Sequence, residues 1–150
     1  MTETSQAATE PHRPPIGPRR AFAVWLAVVR VLAVLQAAVT IGQPLSIGQY
    51  LAGLYDWLGV HSAGATLVEL LGLLLAVAAL GYAVTGGRVW LPIACWAMLV
   101  AETVQTGMGY ARILAVHVPL GVLVVTGAVL LAIGVFSRGA GRARPRRSGR

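Results

Sequence analysis

The 150-residue chain has no lysine and no asparagine, a single cysteine, and five acidic residues against twelve basic ones, all of them arginine. One cysteine, Cys95, excludes an intrachain disulfide and any Cys-x-x-Cys metal site; in its apolar surroundings it reads as a small buried hydrophobe. Charged residues make up 11% of the chain and hydrophobic ones 57%, so there is too little polar surface to wrap a soluble domain. No nucleotide-binding loop, hydrolase elbow or zinc-protease helix occurs, and no enzymatic activity is specified. Arginine without lysine, in a background of alanine, glycine, valine and leucine, reflects a GC-rich coding genome and suggests a bacterial source.

Apolar length is what the chain has in quantity. A helix needs ~20 apolar residues to cross a ~30 Å hydrocarbon core. Four stretches approach or exceed that length, at about 21–42, 59–85, 89–106 and 111–136. The expected fold is an all-α, integral membrane four-helix bundle. It is flanked by a disordered tail over 1–20 and a basic tail over 137–150, with an interfacial loop at 43–58 carrying Tyr50, Tyr55 and Trp57.

Arginine placement orients this bundle. Arg13, Arg19 and Arg20 precede the first span, Arg88 lies between the second and third, and Arg138, Arg142, Arg144, Arg146, Arg147 and Arg150 follow the fourth. The positive-inside rule therefore puts both termini in the cytoplasm and predicts a multi-pass protein of the cytoplasmic membrane. The net charge of +7 is then an orientation signal in contact with anionic headgroups. With no folded or aromatic binding module beside the basic run, nucleic acid is not an expected partner. The start "PRRAFAV" resembles a twin-arginine signal, but Arg30 interrupts the apolar run behind it, and an uncleaved anchor is expected.

Polar residues inside spans are costly and usually face the bundle interior. They are Arg30 and Gln36 on the first span, Glu69 on the second, Glu102 on the third and His117 on the fourth. At ~1.5 Å of rise per residue, Arg30 lies roughly 13 Å from the inner face, while Gln36, Glu69, Glu102 and His117 share a level in the outer half. The pattern predicts one intramembrane network of Arg30, Gln36, Glu69 and Glu102, with Arg30 pairing Glu69 or Glu102.

His61 adds a second imidazole near the outer end of span two. His61, Ala65, Glu69, Gly72 and Ala76 fall on one narrow helix face. On span four, Gly121 lies one turn after His117, and Pro119 between them cannot donate to the carbonyl of Ala115, which predicts a kink. Small residues beside a histidine either let helices pack closely or leave room for a flat macrocycle whose iron the histidine ligates.

The segments "HSAGATLVELLGLLL" and "ETVQTGMGYARILAVHVPLGVLVV", within about residues 59–127, carry a resemblance. They resemble small four-span bacterial membrane proteins and one four-helix half of a haem A synthase, whose halves carry a histidine on the second and fourth helices. The resemblance implies that His61 and His117 are cofactor-binding residues holding a b-type haem, without implying synthase activity. Three classes stay open: a haem-binding or electron-transfer protein; a structural or assembly protein whose partner is another membrane protein or a second copy; and a small transporter or proton relay using Glu69, Glu102 and His117.

Overall fold

The computed structural model describes residues 17–144. The expectations for Arg13, Arg146, Arg147 and Arg150, and for the tail before residue 17, lie outside the described residues. Within them the chain is all-helical, with four helices and no strand: α1 Pro18–Leu51, α2 Trp57–Val84, α3 Trp90–Tyr110 and α4 Leu114–Gly134. Three of these, α1, α2 and α4, are long and apolar enough to cross a membrane. Helix α3 has the length, at 21 residues, but its second half, "AETVQTGMGY", is too polar to meet the same measure.

Short connections force consecutive helices to run antiparallel. α1 packs on α2 and α4, α2 on α3, and α3 on α4, while the diagonal pairs stay apart. Three of the helices stop in the same way, with a left-handed residue just past the end: Gly53 at φ 96°, Gly86 at φ 111° and Arg112 at φ 59°. In each case a main-chain N–H behind that residue donates to a carbonyl five residues back, as Leu54 does to Gln49, Gly87 to Tyr82 and Ile113 to Met108. Glycine adopts this conformation freely, whereas Arg112 adopts it against a steric cost.

The largest departure from the sequence pattern concerns residues 43–58. They do not form a long interfacial loop. α1 continues nine residues past the expected end at 42, through Pro44, and the connection shrinks to Ala52–Asp56. Proline at 44 removes only one donor, the one that would reach the carbonyl of Thr40, so the helix survives it. At 34 residues α1 is about 50 Å long, well beyond a hydrocarbon core. α4 likewise runs through Pro119 as one helix.

The two ends of the bundle are packed differently. At the end that gathers Arg19, Arg20, Arg88, Arg138, Arg142 and Arg144, called here the arginine end, the core is apolar. It holds Leu26, Val29, Ala33, Leu75, Ala79, Tyr82, Leu91, Cys95, Leu131 and Val135. At the opposite, histidine end, past Gln36, Val68, Glu102 and Val124 on their respective helices, the buried residues are Ala37, Thr40 and Ser46, all on α1.

Candidate functional site

His61 is the fifth residue of α2 and His117 the fourth residue of α4, on helices that face each other across the bundle diagonal. Their rings meet at the histidine end, with centroids 6.3 Å apart and planes at 78°. Each ring is held from behind by the preceding helix. His61 Nδ1 donates to the main-chain carbonyl of Gln43 on α1 at 3.2 Å, with Ser46 Oγ also at 3.1 Å. His117 Nδ1 donates to the carbonyl of Gln105 on α3 at 2.8 Å. A carbonyl can only accept, so each ring carries a proton on Nδ1, and the ring in its neutral form keeps a lone pair on Nε2. The side-chain amide of Gln105 donates to that lone pair on His117 at 3.3 Å.

The two hairpins therefore repeat one device: α1 fixes a histidine on α2, and α3 fixes a histidine on α4. Glycine makes the close approach possible. A Cβ on Gly109 would lie 2.7 Å from the His117 ring. Gly121 and Gly64 do not clear space beside the histidines; they clear it for glutamines. A Cβ on Gly121 would lie 3.2 Å from the Gln105 amide nitrogen, and one on Gly64 would collide with the Gln43 amide.

Beneath the histidines, the inner face of α1 presents Gln36, Thr40, Gln43 and Ser46, a polar stripe at helical spacing. Gln36, Thr40 and Ser46 are buried, and Thr40 returns its hydroxyl proton to the Gln36 carbonyl at 2.7 Å. At the foot of the stripe, the Gln36 amide donates to Glu102 Oε1 from α3. Glu102 is 1% exposed, and its second oxygen packs where a side chain on Gly72 of α2 would otherwise stand. Three buried acceptors along this line lack a donor: Gln36 Oε1, Gln43 Oε1 and Glu102 Oε2.

This arrangement departs from the sequence expectation in two ways. Gln36 and Glu102 do pair, but His117, expected at their level, bonds to Gln105 about one turn nearer the histidine end and lies beside His61, which meets α1 at Gln43, so the polar groups form a column and not a single level. Arg30 does not join them. Its guanidinium donates to the Val135 carbonyl at 3.1 Å and lies 5.0 Å over the Phe136 ring. Val135 caps α4, where the last carbonyls of a helix lack intrahelical donors and carry partial negative charge. That carbonyl, and neither Glu69 nor Glu102, is the partner of Arg30. Glu69 is half-buried on α2 and outside the hydrogen-bonded pair.

Several residues of the site escaped sequence reading: Thr40, Gln43, Ser46 and Gln105. The first three stand at i+4, i+7 and i+10 from Gln36, a signal that the "GQP" segment at 42–44 obscured by reading as a helix stop. No family model, no curated protein and no solved structure matches the chain.

Proposed function

We propose that this is a four-span protein of the bacterial cytoplasmic membrane that carries a b-type haem between His61 and His117 and transfers electrons near the outer face. Both termini then lie inside, with the arginine end at the cytoplasmic surface, as the positive-inside rule requires of Arg19, Arg20, Arg88, Arg138, Arg142 and Arg144. On this reading α3 spans the membrane as well, its polar half turned toward α1 through Glu102.

The observation that carries the proposal is the pair of imidazoles, each pinned through Nδ1 to a main-chain carbonyl on the neighbouring helix. A histidine that ligates a metal through Nε2 donates its other nitrogen in this way, which fixes the tautomer and raises the basicity of the ligating atom. With centroids 6.3 Å apart, the two imidazoles come together between α2 and α4, and they are the residues that would hold the metal. The donor set is right for haem: two neutral nitrogens, no thiolate, and no third His, Cys, Asp or Glu gathered with them among the described residues. When bound, haem supplies one-electron chemistry.

The chain's own residues do the rest. His61 and His117 would hold the iron; the Gln43 carbonyl with Ser46 would orient one ring and the Gln105 carbonyl the other, the Gln105 side-chain amide giving up its bond to His117 Nε2. The lightly packed histidine end has no apolar core of its own and gains one when a flat apolar group is covered by α2 and α4. The apolar core at the arginine end closes the polar column below Glu102, which favours electron transfer over passage of an ion through the bundle.

The test is an absorption spectrum of protein purified from haem-replete cells. A Soret band that is lost or strongly altered in His61→Ala and His117→Ala is the expected result. No Soret band, or one unchanged by His117→Ala, overturns the proposal.

A further inference from the structure

The foot of the polar column raises a question independent of haem. Glu102 is 1% exposed and receives one hydrogen bond, from an uncharged amide. An ionised carboxylate so buried needs a cation or several donors. None of the helices supplies them. On α1 the cations are Arg19 and Arg20, at the arginine end, and Arg30, which is engaged with Val135 and Phe136. On α2 the group within electrostatic range is another acid, Glu69. On α3 itself it is Cys95. On α4 the only ionisable side chain is His117, whose ring is bonded to Gln105.

The two orphan oxygens of this pair, Glu102 Oε2 and Gln36 Oε1, belong to groups already joined by one hydrogen bond. A proton placed on Oε2 turns an orphan acceptor into a donor, and Gln36 Oε1 is the acceptor that it completes. A carboxylic acid and a primary amide match each other in this two-bond pairing, and neither then leaves a polar atom unsatisfied. We propose that Glu102 is a proton-binding site: a neutral carboxyl paired with the Gln36 amide, whose proton exchanges with the histidine end along Thr40, Gln43 and Ser46. Exchange moves one proton from the carboxyl to water and leaves a carboxylate; no electron is transferred. The third orphan acceptor, Gln43 Oε1, stands midway on that route and offers a hydrogen-bond acceptor to a water entering it.

The test uses the full-length protein in lipid vesicles without haem, so its outcome is separate from that of the haem proposal. Infrared spectra at neutral pH should contain the carbonyl stretch of a protonated carboxylic acid, shifted to lower frequency in D2O and missing in Glu102→Gln. That variant keeps a two-bond amide–amide pair and so should accumulate normally. Gln36→Met should leave the band but move it, because its hydrogen-bond partner is gone. Gln43→Leu should slow the isotope shift severalfold. A spectrum with no protonated-carboxyl band, a band that survives Glu102→Gln, or a band that Gln36→Met does not move overturns the site. An isotope shift as fast in Gln43→Leu as in the unaltered protein overturns the route.

Discussion

The two halves of this bundle solve the same packing problem with different materials. At the arginine end, four helices meet through leucine, valine, alanine and one fully buried tyrosine, and the hydrogen bonds there serve to fasten chain segments. Tyr82 donates to the Ala140 carbonyl at 2.9 Å, and Arg144 reaches the Ala83 carbonyl at 3.0 Å. At the histidine end, the interior is made of amides, hydroxyls and imidazoles from α1, α2, α3 and α4, and no apolar cluster surrounds them. The first half is a framework whose stability comes from burial. The second is a region whose geometry comes from directional bonds.

The sharpest way to break that comparison is to truncate one large side chain in each half. Tyr82→Ala empties a site that is 0% exposed, and should destabilise the protein in detergent by about 3–5 kcal/mol. His117→Ala, made in the protein without haem, should cost only about 1–2 kcal/mol, the net worth of the two hydrogen bonds it removes. Equal costs in a denaturation series would show that the histidine end is as much a framework as the other.

Smaller effects sharpen the boundary between the halves. Gly72→Ala places a methyl group against the Glu102 carboxyl and the Gln36 amide; overpacking of this kind costs about 1–3 kcal/mol. It should also displace the infrared band of Glu102, whereas the same change at Gly42, where the added methyl meets nothing, should do neither. Tyr82→Phe retains the ring and removes only its bond to Ala140, for a loss of about 1 kcal/mol. Its clearer readout is faster tryptic cleavage after Arg138 and Arg142. Smallest is a gain: Arg112→Gly relieves a left-handed arginine and should stabilise the protein by about 1 kcal/mol without touching either half's interior.

The residues themselves explain which features were readable in advance. Helix number, order and antiparallel pairing follow from apolar runs separated by short turns, and the two histidines were visible because imidazoles are rare in such runs. Gln36 and Glu102 announced themselves in the same way. The end of α1 is not legible in the sequence, because glycine, glutamine and proline in succession usually punctuate a helix, whereas here the lost donor at Pro44 concerns a single carbonyl. The partner of Arg30 could not be read at all. A side chain that seeks a charge leaves a trace in the sequence; one that seeks the carbonyl of Val135 does not, because every residue carries a carbonyl and only the fold decides which one is exposed. For the same reason the backing of both histidines by main-chain oxygens of Gln43 and Gln105 became apparent only in three dimensions.

The bond between Arg30 and Val135 also sets an order of events in time. The two residues are 105 positions apart, and the contact between α1 and α4 is the one that closes the ring of helices. Until the last turn of α4 and the segment behind it have been synthesised, the guanidinium of Arg30 has no carbonyl to receive it. The α1–α2 and α3–α4 hairpins can each place a histidine locally, but the rings can face one another only after that closure. A chain that ends before residue 135 therefore leaves the guanidinium of Arg30 without the carbonyl that receives it in the finished bundle.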